Sequence, residues 1–395
     1  MKHSAAYVGM WVLIALLFPL QEQGVCAEPS MAERSIDWET VVSRHPDLKI
    51  LVLVKSDAPL NLQDLARLAD RGFVPADRDP GLVLGVRSAV FAGRLDKWMK
   101  AKPLTGHLSG KILERFEMTG VYRVGFKVEA ASYAGPLELQ VTAPRPGFGR
   151  ELLHSEHIVR PECEQSMTVD SAGNRWLTAR FARVRAGETL KFHFGFTYRV
   201  DVRELLAHDL ILVGKPVGNE LPPETQPFLE PGYKIDPRLP AARAWAAQGG
   251  DRPADPRSEY KRLTEFIKKT VVYDNQKRAA YFGGKMVYPD LDLMYQGVTE
   301  TLARGSGCCP DTILLECAFM RARGIPCFTA GRFGHFYTVV YVPGRGWMST
   351  SVTPTGIPLI RSPGPDHVPY QKWQPKILLK TTHWEARVRI NTLEE

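Results

Sequence analysis

A short stretch in the last third of the chain carries the residue types of a thiol nucleophile. Cys309 follows the run Gly305-Ser306-Gly307-Cys308, whose glycines let backbone segments approach closely. Pro310 and Asp311 come next, and both residue types are favoured in the first turn of a helix. The N–H groups at a helix start lower the pKa of a thiol from about 8.5 and can stabilise an oxyanion. Cys309 is therefore the candidate nucleophile.

A nucleophilic cysteine needs a base within hydrogen-bond reach, and His335 is the candidate. The helical pattern that starts at Cys309 stops at Gly324, and the run His335–Val342 has strand character. A turn over residues 343–346 leads to a second strand over residues 347–353. A helix packed on such a hairpin can place Cys309 beside His335. Spacing alone leaves a purely structural, buried cysteine as the alternative.

This segment resembles the transglutaminase-like core found in many secreted bacterial proteins. The matching residues are Gly307, Cys309, Asp311, Arg321, Gly324-Ile325-Pro326, His335 and Gly346-Trp347, with Phe266-Ile267 and Tyr273-Asp274 upstream. Counting back from Gly324 assigns the nucleophile to Cys309 and not to Cys308. The resemblance implies a cysteine-bearing helix packed on an antiparallel sheet, and attack on protein or peptide amides through a thioester. It covers residues 255–355 well, residues 111–254 loosely and the first hundred residues not at all.

One position departs from the pattern of this family. The family's aspartate, four residues past the tryptophan, falls on Ser351. A serine hydroxyl can accept a hydrogen bond from the histidine and fix its tautomer, but it cannot stabilise an imidazolium as a carboxylate does. The resemblance thus implies a catalytic set of Cys309, His335 and Ser351. The serine keeps open an alternative, a degenerate core retained for binding or assembly in the cell envelope.

The remaining cysteines indicate neither a disulfide framework nor a metal centre. Without Cys26 five are left, an odd number, and four of these fall within residues 308–327. Cys317 and Cys327 have the spacing of core positions on a helix and a strand. Adjacent cysteines lack the spacing of zinc ligands and the chain has no C-x-x-C, so we predict no metal and no cofactor. His154 and His157 lie in strand-like sequence and are expected at the surface.

The first 27 residues have the pattern of a secretory signal peptide. Lys2 and His3 precede an apolar run over residues 7–20, and Val25-Cys26-Ala27 provides small residues at a cleavage site. The run is shorter than the roughly 20 apolar residues of a membrane-spanning helix. We expect cleavage after Ala27 and export to the periplasm or beyond. A lipid anchor on Cys26 and an uncleaved anchor are the alternatives.

The rest of the chain predicts an α+β protein built in successive parts. Alternating strand and helix patterns indicate a small α/β module, and short strands with turns between them indicate an antiparallel β-sandwich. An aromatic stripe, Phe192, Phe194, Phe196 and Tyr198, is expected in the sandwich core. The predicted parts are a module over 40–110, a sandwich over 111–217, an extended Pro/Gly-rich linker over 218–254 and a transglutaminase-like domain over 255–395.

Charge argues against one class of partner. The 395 residues carry a formal net charge of +8, but lysines and arginines alternate with acids along the predicted helices. No dense basic block is present, so we expect no nucleic acid as a partner. A protein or peptide substrate is what the resemblance implies.

Overall fold

The computed structural model describes residues 49–56, 73–75, 81–87, 108–129, 135–212, 216–218, 220–250, 255–282, 287–288, 295–361 and 379–393. These residues belong to one compact unit, Trp38–Glu395. The predicted signal peptide, residues 1–27, lies outside the described part of the chain. No helix among the described residues is both long enough and apolar enough to cross a membrane.

Four strands near the N-terminus form an antiparallel sheet in the order β2-β3-β1-β4. Their bounds are β1 Lys49–Ser56, β2 Phe73–Pro75, β3 Gly81–Arg87 and β4 Leu108–Ile112. In the predicted α/β module, the sequence has strand patterns at residues 49–54 and 82–86, and these are β1 and β3, which pair with each other. The helical pattern predicted after each of them falls on residues that the structure does not describe.

Two facing sheets form the sandwich that follows. Six of its strands are β5 Arg115–Val128, β6 Gly135–Ala143, β7 Arg150–Arg160, β8 Glu164–Val169, β9 Arg175–Val184 and β10 Thr189–Asp201. Strands β6, β9 and β8 form one sheet, while β5, β10 and β7 lie side by side in the other. The aromatic stripe of β10 is buried, as expected, and one apolar cluster joins side chains of both sheets. Period-two alternation therefore directs one face of each sheet into a shared core.

The last described strand, β18 Leu379–Thr392, belongs to the sandwich sheet. It pairs antiparallel with β5 from Leu379 opposite Val128 to Thr392 opposite Phe116. A short strand, β12 Val287–Tyr288, pairs with the other edge of β18. The predicted domain over 255–395 placed this segment with the cysteine-bearing core. The structure differs because β5 would have an unpaired edge without β18, and this long partner strand satisfies its backbone groups.

The C-terminal core consists of residues 255–361 without the short strand β12. Its helices are α3 Pro256–Thr270, α4 Asn275–Phe282, α5 Val298–Arg304 and α6 Cys309–Ala322. Its strands are β11 Val272–Tyr273, β13 Ser306–Gly307, β14 Cys327–Arg332, β15 His335–Val342, β16 Gly346–Ser349 and β17 Pro358–Arg361. The four last strands form an antiparallel sheet in the order β16-β15-β14-β17, and α6 is packed on it through one apolar cluster.

The Pro/Gly-rich segment before the core is not the extended linker predicted over 218–254. After helix α1 Val202–Ala207, it forms a 3₁₀-helix, Pro223–Leu229, and helix α2, Pro240–Ala247. Both begin with a proline, whose fixed φ suits a helix start. Trp245 of α2 is buried, with its ring centroid 5.6 Å from that of Phe319 on α6. The segment therefore contributes to the core around the cysteine helix.

These elements confirm the α+β class, with a cysteine-bearing helix on an antiparallel sheet after a β-sandwich.

Candidate active site

Cys309 is the first residue of α6, as predicted. Cys308 is the N-cap residue and Pro310 stands in the first turn. The helix is apolar on nearly all sides because it lies between the sheet and helices α2, α3 and α5, so it is buried along most of its length. Cys309 itself is only 4 % exposed. The candidate nucleophile thus sits at the buried start of a central helix.

A buried carboxylate, that of Asp311, holds this helix start in place. Asp311 is fully buried and accepts 2.8 Å hydrogen bonds from the backbone N–H of Cys308 and of Gln296. Lys277 Nζ of α4 donates to both carboxylate oxygens at 2.8 Å. A Cβ on Gly307 would lie 3.0 Å from Asp311 Cβ, so the glycine permits this close approach. One side chain therefore connects three separate chain segments at the thiol.

Tyr273 approaches the thiol from the opposite direction. Its strand β11 pairs in parallel with β13, which places Tyr273 opposite Gly307. Burial is the main influence on the pKa of Cys309, and the Tyr273 hydroxyl lies near enough to oppose it. Burial and the nearby Cys309 sulfur raise the pKa of Tyr273 to about 12, so the phenol remains a donor at neutral pH. Because Tyr273 is 42 % exposed, it connects the buried sulfur with the protein surface.

The start of β15 provides a second group at the sulfur. The backbone of Phe336 lies near enough to Cys309 to favour its thiolate, and Phe336 packs in the same apolar cluster as α6. His335 immediately precedes Phe336 and is the first residue of the strand. Its imidazole ring lies nearly parallel to the ring of Tyr337, with centroids 6.5 Å apart. The structure therefore places the residue next to the predicted base in the apolar cluster around the thiol, and the pairing of the His335 imidazole with Cys309 stays a prediction.

Ser351, the third predicted residue, lies just beyond the end of β16. Its Oγ accepts a 3.2 Å hydrogen bond from Arg332 Nη2, and its carbonyl oxygen accepts a 2.6 Å bond from Arg332 Nη1. Arg332 in turn is the strand partner of His335 in the β14–β15 hairpin. The role of Ser351 as an orienting group for the histidine stays a prediction, because the described bonds of its hydroxyl lead to the arginine.

The thiol itself differs from the expectation of a lowered pKa. Burial raises the pKa of Cys309, and this outweighs the lowering by the Phe336 N–H, the Tyr273 hydroxyl and the charge of Arg278. The helix start supplies N–H groups, but the packing that surrounds it excludes the water that would solvate a thiolate. Cys309 is therefore a neutral thiol near neutral pH, and its attack on a carbonyl requires a base to take the proton.

The other cysteines near the site are buried and do not form a metal site among the described residues. Cys308, Cys317 and Cys327 are buried, and burial raises the pKa of Cys308. Among the described residues, no three His, Cys, Asp or Glu side chains converge as metal ligands would.

The sequence did not predict the side chains that contact Asp311 and Cys309. Lys277 and Gln296 follow polar stretches without a recognisable motif, and their distance from Asp311 in the chain hides the contact. Tyr273 had a signal, since it belongs to the Tyr273-Asp274 pair of the family pattern, but nothing in that pattern assigned its hydroxyl to the sulfur.

The Asp311 network can be tested by removing its charge. Asp311→Asn keeps the shape of the side chain and leaves the Lys277 ammonium, which is 14 % exposed, without its counter-charge. Removing one partner of a buried ion pair costs about 3–5 kcal/mol, so we expect the free energy of unfolding in urea to fall by about that amount. Glu300→Gln breaks the exposed pair with Arg304 and should change it little. Equal small losses in both variants would contradict the assignment.

The protonation of the thiol predicts a pH dependence. A raised pKa means that thiolate appears only at higher pH, so the rate of alkylation of Cys309 by iodoacetamide should reach half its maximum above the pH of an ordinary cysteine, about 8.5. Tyr273→Phe removes a donor that favours the thiolate and should move the midpoint higher. Peptide mapping assigns the adduct, and Tyr341→Phe, a tyrosine packed on Trp347, is the control. A midpoint below pH 8 would show that burial does not control the pKa of Cys309. An unchanged midpoint in Tyr273→Phe would show that the Tyr273 hydroxyl does not influence this pKa.

Comparison with solved structures finds a similar fold, whereas comparison of the sequence finds no match. No protein-family model matches the chain, and no curated protein matches it in sequence. A solved structure of a candidate cysteine protease from Cytophaga hutchinsonii is similar, with a TM-score of 0.50 and 16 % sequence identity over 71 % of this chain and 92 % of that chain. A candidate protease from Parabacteroides distasonis reaches a TM-score of 0.25 at 9 % identity, over 82 % of this chain and 63 % of that one, and supports no argument. At 16 % identity, the likeness to the Cytophaga hutchinsonii protein shows a common fold.

Proposed function

We propose that this chain is an exported transglutaminase-like cysteine enzyme that acts on protein or peptide amides. The observation that carries the proposal is the position of Cys309, at the start of a buried helix that Asp311 anchors and in the same apolar cluster as Phe336, the residue after His335.

The residues suggest a reaction in two stages. Cys309 Sγ attacks the carbonyl carbon of the amide, and its proton passes to His335 as the C–S bond forms. The C–N bond then breaks, the leaving amine takes the proton, and the acyl group remains on the sulfur as a thioester. Water or a second amine attacks the thioester, which gives hydrolysis or acyl transfer and returns the thiol. N–H groups at the helix start are suited to the oxyanion.

Two further observations support parts of this proposal. The Cytophaga hutchinsonii protein that shares the fold is described as a candidate cysteine protease, and peptide amides are the substrates of that class. The pattern of residues 1–27 supports export, which would place the substrate among extracellular or cell-envelope proteins and peptides.

The alternative function is a core without catalytic activity that binds peptides or assembles with partners in the cell envelope. Two observations favour it. Burial raises the pKa of Cys309. The position of the family's aspartate holds Ser351, whose hydroxyl accepts a hydrogen bond from Arg332, so this position supplies no carboxylate to the histidine. A binding module would retain peptide affinity and release no product.

The two functions differ in whether Cys309 and His335 are needed for turnover. We expect the purified chain to cleave or deamidate amides in a peptide mixture, and to form amine adducts when a primary amine is added, as detected by mass spectrometry. Cys309→Ala should abolish all products. His335→Ala should lower the rate by a factor of about 10²–10⁴, the usual contribution of a positioned base.

The matched control is Cys163→Ala, which removes a partly exposed cysteine of the sandwich and should leave the rate unchanged. Products that persist in Cys309→Ala would overturn the assignment of the nucleophile. Peptide binding without any product, unchanged in Cys309→Ala and His335→Ala, would favour the binding module.

A further inference from the structure

A small cavity lies beside the candidate active site, between the sandwich and the C-terminal core. We call it the arginine cavity, because Arg150 of β7 and Arg332 of β14 both line it, together with Tyr337, Ser351 and the apolar side chains Phe148 and Pro358. Its volume is about 10 Å³, which is the space of one water-sized atom. Two arginines around so little space call for an explanation.

Arg150 is buried with an unused donor. It is 9 % exposed, donates from Nη1 to the carbonyl oxygen of Phe148 at 3.1 Å, and donates from Nη2 to that of Thr353. Its Nε is buried and has no hydrogen-bond partner. Both satisfied contacts are to neutral carbonyl groups, so none of them balances the charge of the guanidinium.

Arg332 adds a second positive charge to the same space. Among the described residues, its hydrogen bonds go to the carbonyl and hydroxyl oxygens of Ser351, and its guanidinium carbon lies 5.6 Å from the centre of the Tyr337 ring. Burial lowers the pKa of Arg150, and the charge of Arg332 lowers it further, to about 10. Neither arginine forms an ion pair with a carboxylate among the described residues.

Two guanidinium groups that line one small cavity, Arg150 buried and Arg332 partly buried, are unfavourable, because burial reduces their hydration and no acid among the described residues supplies a counter-charge. An anion between them would receive charge-assisted hydrogen bonds from both groups. The volume admits one atom, so a carboxylate would place one of its oxygens in the cavity, and its remaining atoms would lie outside.

The arginine cavity is linked directly to the candidate catalytic residues. Arg332 is the strand partner of His335, and Tyr337 stacks with that histidine. An anion held in the arginine cavity would therefore lie on the side of His335, the predicted base.

We propose that the arginine cavity binds a carboxylate of the substrate, so that the amides acted on belong to peptides with a free carboxylate near the reacting bond. The substrate part of this inference rests on the proposed function, whereas the existence of a carboxylate site does not.

The site itself is tested with acetate as the probe. In Cys309→Ala, which has no nucleophile, acetate should bind and raise the melting temperature in a saturable way, at constant ionic strength. Arg332→Gln should weaken acetate binding by about tenfold or more, as expected for a lost charged hydrogen bond. Arg345→Gln removes the same charge from an exposed turn and should bind acetate as the parent does. Arg332→Lys, which keeps the charge, should retain weaker binding and guards against a folding defect in Arg332→Gln.

Absence of an acetate effect would overturn the site, and so would equal effects of acetate, phosphate and chloride, which indicate binding of any anion. For the substrate, reactive peptides with a free carboxylate should be processed at least about tenfold faster than their amidated forms, and Arg332→Gln should remove that ratio. Equal rates would overturn the substrate assignment. A chain that binds acetate through Arg332 but processes no peptide would refute the proposed function and leave the carboxylate site intact.

Discussion

The geometry of the thiol depends on one buried ion pair, that between Asp311 and Lys277. Its 2.8 Å contacts, together with the backbone bonds from Cys308 and Gln296, tie the start of α6 to α4 and to the segment before α5. All four bonds converge on one carboxylate, so no segment can shift without leaving a buried charge or N–H unpaired. The backbone at Cys309 is therefore fixed relative to β11, which carries Tyr273, and this is the condition for every other contact at the sulfur.

The same packing that fixes the sulfur also keeps it protonated. α6 is surrounded by apolar side chains, and the desolvation of Cys309 outweighs its three stabilising neighbours. A thiol of this kind is protected from reaction until a base and a carbonyl group meet at it. The charged groups near it differ in their partners. Lys277 contacts a carboxylate, whereas Arg150 and Arg332 contact neutral oxygens among the described residues. The second set lies where β7 of the sandwich meets the core, so the sandwich contributes to the environment of the site.

The sequence carried enough information for the start of α6 and for the strand after it, because Pro310, Asp311 and Gly324 are local signals. Period-two alternation likewise predicted the buried stripe of β10. Contacts between distant segments were beyond it: Lys277 and Asp311 are 34 residues apart, and the long pairing of β18 with β5 has no local sign. The prolines at the starts of the 3₁₀-helix and of α2 suggested an extended linker, although a first-turn proline is equally compatible with a helix. The lowered thiol pKa was inferred from the helix start alone, and burial, which only the packed structure defines, reversed it.

The proposed function depends on a covalent acyl intermediate on Cys309, and trapping this intermediate tests it most directly. The purified chain is mixed with peptide substrates, quenched in acid within the first turnover, and mapped by mass spectrometry. The expected result is an acyl group on Cys309 that hydroxylamine releases, because hydroxylamine cleaves a thioester. Product formation without any acyl group on Cys309, or with the acyl group on another residue, would contradict it.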